Sequence, residues 1–275
     1  MTTTTTTKVK YLTNKEILKE IHKSKNSFSS YLLPEYANYD IIVDSLEDIN
    51  DEIIAEAKKN RASRLSQEAM EKASTGTIKL SIKDFEIDPI DLSIQDLIFR
   101  VMTFTHIPLA PGRKKTVKSV SDAHEKVNFP PFQHWKFDVN STLFCIGKSH
   151  WQGDVDTGHF SNTHGKMTDN LGRMFIKLCE RYATRGNVRG YTYNDEMRGQ
   201  AILQLSQSGL KFDESKSNNP FAYYTSAITN SFVKVINIEK RHQEIRDDIL
   251  QLNNLNPSFT RQYQDEWDSE FNRNN

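Results

Sequence analysis

The sequence predicts a mostly α-helical protein with a small β component, an α+β fold. Apolar residues recur at helical spacing over residues 168–253. Short alternating apolar runs, which are typical of strands, occur before that region. With 36% hydrophobic residues, the chain of 275 residues has enough apolar material to form a core. We therefore expect a C-terminal helical module preceded by an N-terminal mixed α+β extension.

The start of the chain predicts a disordered leader over residues 1–10. Met1 is followed by six threonines, without the basic and apolar regions of a signal peptide. The chain has two cysteines and no apolar run near the roughly 18 residues of a membrane span. These features argue against a disulfide scaffold and a transmembrane protein, and they favour a soluble intracellular protein.

Residues 11–165 form the predicted mixed region. Its first helix begins at Thr13, whose spacing to Glu16 is that of a capping box, and runs to about Lys23. Ser45 is expected to cap a longer helix that continues until Gly76. The alternating apolar residues over 78–82 then predict a strand.

The second part of this region combines another helix, a loop and a hairpin. Ser93 is expected to open a helix that continues through Val101. Four prolines and a basic cluster make an extended basic loop the best prediction for residues 108–136. Alternation over residues 135–139 and an apolar run over 143–146 predict a β-hairpin.

Three helices are predicted in the C-terminal module, residues 166–250. The first begins at Thr168 and stops near Gly186. The second begins at Thr192 or Asn194 and stops at Gly209. The third begins at Pro220 and runs to about residue 253. Its expected inward stripe consists of Phe221, Tyr224, Ile228, Phe232 and Val235.

Charge is neutral overall but varies along the chain. Thirty-six basic residues balance thirty-six acidic ones, so the composition as a whole does not favour a polyanionic partner. Residues 166–246 carry 13 basic and 8 acidic residues, whereas residues 247–275 carry 2 and 6. Any attraction to nucleic acid must therefore come from local charge.

The third helix combines residue types that suit nucleic-acid binding. Aromatic faces stack on unpaired bases, amides and hydroxyls bond to base edges, and basic side chains neutralise phosphates. Tyr223, Asn230 and Lys234 lie outside its expected inward stripe, and Lys240 and Arg241 follow. The alternative is that the tyrosines pack in a core and the charges form an ordinary solvated face.

The helical module also resembles a known family. The resemblance rests on the runs Tyr191–Met197, Leu210–Lys216, Asn219–Thr225 and Ile238–Arg241, in this order and spacing. Together they look like the late-transcription RNA polymerase sigma factor of T-even-type bacteriophages, in particular the longer cyanobacterial-phage version. The resemblance implies that residues 166–250 correspond to the second conserved sigma region, which binds the clamp helices of RNA polymerase and melts the promoter.

The resemblance also implies roles for individual residues. The polymerase-binding positions are Glu196, Gln200 and Gln204. Tyr223 stands close to the sequence position at which the family has the aromatic that captures a flipped base. The expected DNA-binding positions are Tyr223, Tyr224, Ser226, Thr229, Asn230, Lys234, Lys240 and Arg241. Ser226 and Ala227 stand where primary sigma factors have two tryptophans, a departure from the pattern.

Partners follow from the same resemblance. We expect host core RNA polymerase and promoter DNA, together with a late co-activator and the sliding clamp. The acidic-aromatic tail, residues 251–275, has Phe259, Tyr263, Trp267 and Phe271 at intervals of four. Trp267 and Phe271 are the expected clamp-binding residues; a frayed terminus whose aromatics pack back on the domain is the alternative. The expected location is the cytoplasm of the infected bacterial host, and no enzymatic activity or cofactor is expected.

Two other functions remain open from the sequence. A stand-alone regulator of duplex DNA would use the third helix and the basic loop, including Arg113, Lys114, Lys115 and Lys118. A zinc-dependent enzyme would use the donor types Cys145, His150, His159 and His164. Their spacing is not diagnostic, and the sequence contains no phosphate-binding glycine loop or nucleophile elbow.

Overall fold

A computed structural model describes residues 12–73, 82–112, 116 and 118–273. The chain divides into two compact units: residues up to Met174 with Ser208–Phe221, and Phe175–Gln207 with Ala222–Asn275. The prediction of a mostly helical α+β protein is confirmed. The predicted leader and most of the strand expected over residues 78–82 lie outside the described residues.

The first unit is built on a five-stranded mixed sheet with the order β1-β5-β4-β3-β2. Its strands are β1 (Ser29–Tyr31), β2 (Ile41–Val43), β3 (Ile98–Met102), β4 (Phe132–Phe137) and β5 (Leu143–Ser149). β2 and β3 are parallel, and the other neighbours are antiparallel. A separate two-stranded ribbon joins β6 (Trp151–Gln152) to β7 (His159–Phe160). The predicted hairpin is therefore confirmed as β4 and β5.

Two helices of the first unit come before β3 in the chain. In α1 (Asn14–Asn26), Thr13 and Glu16 form the reciprocal capping box that the sequence predicts. The second helix, α2 (Asp51–Ala73), begins later than predicted. Ser45 instead caps a single 3₁₀ turn, Leu46–Asp48, because the chain returns to extended geometry at Ile49. Ser45 is thus a cap of a turn and not of the long helix.

The helix predicted to begin at Ser93 is wrong. Ser93 caps a 3₁₀ turn, Ile94–Asp96, and the following apolar residues form β3 at the interior of the sheet. Residues 98–101 are all buried. A strand that is covered on both faces loses the polar–apolar alternation by which strands are recognised, so its continuous apolar run resembles a buried helix.

The predicted basic loop, residues 108–136, contains more regular structure than expected. A short helix, α3 (Val120–Ala123), lies within it, and β4 begins at Phe132. Arg113, Lys114 and Lys115 lie outside the described residues, and Lys118 is exposed. The predicted basic DNA-binding surface of this loop therefore lies mostly outside the described residues.

A buried ionic cluster lies at the centre of the first unit. The Glu214 carboxylate lies 3.1 Å from Lys25 Nζ, 2.9 Å from Arg100 Nη1 and 3.3 Å from His22 Nε2. Arg100 is fully buried, and its guanidinium lies 3.8 Å from the ring centroids of Tyr39 and Phe132. Glu214 thus joins the segment Ser208–Phe221 to the first helix and to β3.

The second unit contains most of the C-terminal helices. They are α4 (Asp169–Ala183, from Phe175 onward), α5 (Asn194–Ser208, to Gln207), α6 (Pro220–Leu252, from Ala222) and α7 (Phe259–Arg273). The sequence predicts the first three of these helices to within a few residues. It does not predict that Ser208–Phe221, inside the expected module of residues 166–250, is part of the first unit.

Length and composition of the helices bear on the membrane question. Over the part of the chain that the structure describes, no helix combines the length and the apolar character that crossing a bilayer requires.

Candidate nucleic-acid interface

The long helix α6 is fixed in orientation by its buried face. Tyr224, Ile228, Phe232 and Val235 are all buried, as the helical spacing predicts. The rings of Phe175 and Tyr224 meet edge to face at 4.8 Å, and those of Tyr182 and Phe232 at 4.9 Å. This packing against α4 determines which side chains of α6 point toward solvent.

Two residues assigned from the sequence are corrected by this packing. Tyr224 was expected to contact DNA, but it is fully buried, so its ring contributes to the core and cannot stack on a base. Phe221 was expected to point inward, but 41% of it is exposed. Phe221 lies in the first turn of the helix, where its backbone N–H donates a 3.1 Å hydrogen bond to Asn14 Oδ1.

Thr229 acts as a polar anchor on the flank of the buried stripe. Its hydroxyl is hydrogen-bonded to the Thr225 carbonyl at 2.8 Å and to the Tyr182 hydroxyl at 2.9 Å. These bonds turn the hydroxyl toward α4, so its expected contact with DNA would have to replace an existing hydrogen bond. The geometry gives Thr229 a structural role.

The remaining predicted residues of α6 lie along one outward side. Tyr223, Ser226, Asn230, Lys234 and Arg241 follow one another at helical spacing, over a length of about 27 Å. Ser226, Asn230, Lys234 and Arg241 are exposed, and Tyr223 is half-buried. We call these five residues the outer face of α6. Lys240 is exposed on a neighbouring side of the helix.

Tyr223 stands at the N-terminal end of the outer face. Its ring contacts that of Tyr224 at 5.3 Å in an edge-on arrangement, which connects it to the core. Partial burial raises the pKa of its hydroxyl, so the side chain stays neutral near neutral pH. A neutral ring that is supported from behind can offer its exposed part to a partner.

An open groove of about 520 Å³ runs along the C-terminal part of the outer face. Its lining consists of Asn230, Val233, Lys234, Asn237, Ile238 and Arg241. Val233, Asn237 and Ile238 are not among the residues predicted from the sequence, although their helical spacing from Asn230 places them on the same side. Amides, apolar groups and cations therefore share one surface.

The electrostatics of α6 favour an anionic partner on this side. Between Pro220 and Asn237 the only charged residue in the sequence is Lys234. Lys240 and Arg241 follow directly, and the first acidic residue, Glu239, is half-buried on another side of the helix. Because the first five turns of α6 contain no carboxylate, Lys234 can approach a phosphate without repulsion from its own part of the helix.

The structure brings the predicted polymerase-binding residues together on α5. Met197, Ala201 and Leu205 are buried, which leaves Glu196, Gln200 and Gln204 in the adjacent helical row. Glu196 and Gln204 are exposed, and Gln200 is partly exposed. Leu203, which the sequence analysis missed, lies on the same side and is 50% exposed. Single exposed apolar residues are common on protein surfaces, so Leu203 by itself does not identify a partner.

The tail forms a helix with an exposed aromatic ridge. Phe259, Tyr263 and Trp267 follow at intervals of four on α7 and are 82%, 60% and 62% exposed. Asp265, Glu266, Asp268 and Glu270 accompany them. The alternative in which these aromatics pack back on the domain is wrong for the three rings. Phe271 lies within α7, but its side chain is outside the described residues.

The potential zinc donors have other surroundings. The Cys145 thiol donates to the Gly147 carbonyl at 3.5 Å, and burial raises its pKa. His150 stacks against Phe129 with ring centroids 4.1 Å apart, and burial lowers its pKa to about 3. Within the described ranges, no three His, Cys, Asp or Glu side chains come together as a metal-ligand set. Cys145, His150, His159 and His164 therefore do not form a shared ligand set among the described residues.

No known protein family, curated protein sequence or solved structure matches this chain.

Proposed function

We propose that this chain is a promoter-specificity subunit of RNA polymerase, a sigma factor for late promoters in a phage-infected bacterial cell. The observation that carries the proposal is the outer face of α6, in which an aromatic, amides and cations follow one another on a helix fixed by its core. The residue pattern shared with late sigma factors supports the same function.

In this function the outer face of α6 binds the melted strand of a TATA-like promoter. Tyr223 stacks on an extruded base, a contact worth about 1–3 kcal/mol. Ser226 and Asn230 offer hydrogen bonds to base edges, and Lys234 and Arg241 neutralise phosphates. Extruding a base costs a few kcal/mol, which stacking and polymerase contacts together offset. Lys240 contacts the phosphate backbone beside this face.

The other two surfaces serve protein partners. The row Glu196, Gln200 and Gln204, with Leu203 beside it, binds the core polymerase. The aromatic ridge of α7 binds the sliding clamp, because large exposed rings flanked by carboxylates suit an apolar groove with a basic rim. A late co-activator completes the assembly.

Promoter opening by the reconstituted enzyme tests this function. The full chain is mixed with host core polymerase and a late promoter that carries 2-aminopurine in its TATA-like element, without clamp. We expect fluorescence to rise only when both proteins are present. The proposal would be contradicted if fluorescence did not rise with the chain and core polymerase, and still did not rise after the sliding clamp and a late co-activator were added.

Matched tyrosine variants locate the activity on α6. Tyr223→Ala is expected to reduce promoter opening at least tenfold, whereas Tyr191→Ala, in the exposed turn before α5, leaves it unchanged. Equal activity of Tyr223→Ala and the unaltered chain would remove base capture by this residue. Sequence-selective binding of duplex DNA without polymerase would favour the stand-alone regulator instead.

A further inference from the structure

The C-terminal half of α6 carries a second apolar surface, most of which has no role in the proposed function. Its members recur at alternating intervals of four and three, the pattern of a coiled-coil interface. They are all exposed and consist of Ile238, His242, Ile245, Ile249 and Leu252. We call this set the open seam. Three isoleucines and a leucine exposed in line on one helix are unusual for a surface that remains in water.

The helix α7 leaves the open seam uncovered. It packs on the opposite side of α6, where the Asp247 carboxylate accepts hydrogen bonds of 2.7 Å from both the backbone N–H and the hydroxyl of Ser258. Gln251 donates to Asp265 on the same side at 3.2 Å. Asp247 is buried by this contact. The tail therefore contacts α6 on the side away from the open seam, which remains exposed.

The charges beside the open seam indicate what covers it. Arg241 and Asp248 flank one edge, and Glu239 and Arg246 flank the other. When two copies of this helix run antiparallel with Ile238 opposite Ile249, Arg241 meets Asp248 of the second copy and Glu239 meets Arg246. By symmetry this gives four attractive contacts. A parallel pair would instead place Arg241 against Arg246, a like-charge contact repeated twice.

Existing contacts within the chain are compatible with this pairing. Asp248 lies 3.5 Å from Arg261 Nη2, and both side chains are exposed, so the carboxylate can accept from a second donor. Glu239 contacts His242 Nδ1 at 3.1 Å and remains partly exposed. Both carboxylates can therefore face a second copy without leaving their present partners.

We propose that the open seam binds the open seam of a second copy of this chain, antiparallel and centred between His242 and Ile245. The interface spans only about two heptads, so the dimer is weak and depends on concentration. Ile238, a member of the seam, and Arg241, which flanks it, both also line the groove on the outer face of α6. Resting on the proposed function, this sharing means that promoter DNA and the second copy compete for the same helix.

Sedimentation equilibrium of the full chain alone tests the dimer. We expect a monomer–dimer equilibrium for the unaltered protein and for Ile176→Asp, a matched change at an exposed isoleucine of α4. Ile245→Asp combined with Ile249→Asp is expected to be monomeric at every concentration. A monomer for the unaltered chain up to its solubility limit, or a dimer that survives the double change, would overturn the proposal.

Cysteine cross-linking tests the orientation. With a short bis-maleimide, the double variant Ile238→Cys/Ile249→Cys is expected to form covalent dimers. Ile249→Cys alone should give no more product than the unaltered chain, since its two copies lie about 16 Å apart along the antiparallel axis. Efficient cross-linking of that single variant would indicate a parallel pair and contradict the proposed arrangement.

A charge exchange provides the third measurement. Arg246→Glu places like charges opposite Glu239 twice and is expected to weaken the dimer about fivefold to tenfold. Adding Glu239→Arg restores the attraction and the affinity; failure of this rescue counts against the proposed pairing. Because neither polymerase nor DNA is present, loss of the dimer and loss of promoter opening are separate results.

Discussion

Arg100 Nη1 donates a 2.9 Å hydrogen bond to Glu214 Oε2, although 114 residues separate the two in the sequence. Both groups are buried in the first unit, and Lys25 Nζ lies 3.1 Å from the other carboxylate oxygen. Two buried cations thus depend on one carboxylate for their charge balance. Removing that carboxylate would leave both without compensation, which costs far more than an exposed pair contributes.

We therefore expect Glu214→Gln to lower the free energy of unfolding by about 3–5 kcal/mol. Urea denaturation followed by circular dichroism measures the change. The matched control is Lys216→Ala, which removes an exposed ion pair with Asp213 and should cost less than about 1 kcal/mol. Equal stability of the two variants would contradict the central role of the buried cluster.

Acid should destabilise the first unit because it protonates the Glu214 carboxylate. Burial alone would raise the pKa of Glu214, but Lys25, His22 and Arg100 hold it well below its usual range. Because the folded pKa is depressed, the stabilisation is present above the unfolded pKa of about 4.3 and is lost as pH falls below it. We expect Glu214→Gln to flatten the fall in unfolding free energy below about pH 4.3, measured by urea midpoints.

The buried His150 and the partly buried His106 extend this sensitivity to milder acid. Burial lowers the pKa of His106 to about 4 and that of His150 to about 3. The unfolded chain binds these protons first, so stability falls as pH drops below roughly 6.5, by up to about 1.4 kcal/mol per pH unit for each histidine. His106→Gln should reduce the slope of unfolding free energy between pH 6 and pH 4 by about that amount. An unchanged slope would show that His106 gains its proton without unfolding.

The adjacent tyrosines of α6 should separate stability from function. Tyr224→Ala removes a fully buried ring from contact with Phe175 and is expected to cost about 3–5 kcal/mol. Tyr223→Ala removes a half-buried ring and should cost about 1 kcal/mol or less. Thermal unfolding measures both; a larger loss for Tyr223 would make its proposed contact with DNA untenable.

Salt dependence should identify the phosphate contacts. For binding of the polymerase complex to promoter DNA, Lys234→Ala and Arg241→Ala are each expected to reduce the slope of log affinity against log salt by about one. Lys177→Ala, at an exposed lysine of α4, should leave the slope unchanged. Filter binding between low and moderate salt provides the values. Identical slopes for all three variants would place the phosphates elsewhere.

The aromatic ridge of α7 predicts binding without a stability penalty. Trp267 is 62% exposed, so Trp267→Ala should leave the unfolding temperature within about 2 °C of the unaltered chain. The same change should weaken capture by immobilised sliding clamp at least tenfold. Leu255→Ala, at an exposed apolar residue before α7, is the matched control. If the clamp captured Trp267→Ala as well as the unaltered chain, the proposal that the aromatic ridge binds the clamp would be wrong.

The helical module was largely predictable because its information is local. The spacing of Leu178, Met197 and Phe232 with their neighbours marks a buried stripe that only a helix can satisfy. The sequence could not decide whether Tyr224 lies in the core or on the surface, since an aromatic residue near the start of a helix suits both core packing and base stacking. Packing against Phe175, 49 positions away, decides it.

The N-terminal region was less predictable because its structure depends on distant partners. Arg100 lies in an apolar run that would ordinarily exclude a charge, and only the carboxylate of Glu214 makes its burial tolerable. Nothing within a window of ten residues signals that pairing. The same holds for β3, which is buried on both faces and therefore lacks the alternation of an edge strand.

Assignment of Ser208–Phe221 to the first unit has a practical consequence for trimming the protein. A fragment that starts at residue 166 would keep Glu214 but lose Lys25, His22 and Arg100, to which it is bonded. The Glu214 carboxylate would then be solvated by water, and the segment that joins α5 to α6 would lose the contacts that hold it in place. The C-terminal helices therefore cannot be separated from the first unit by a single cut without breaking the contacts of Glu214.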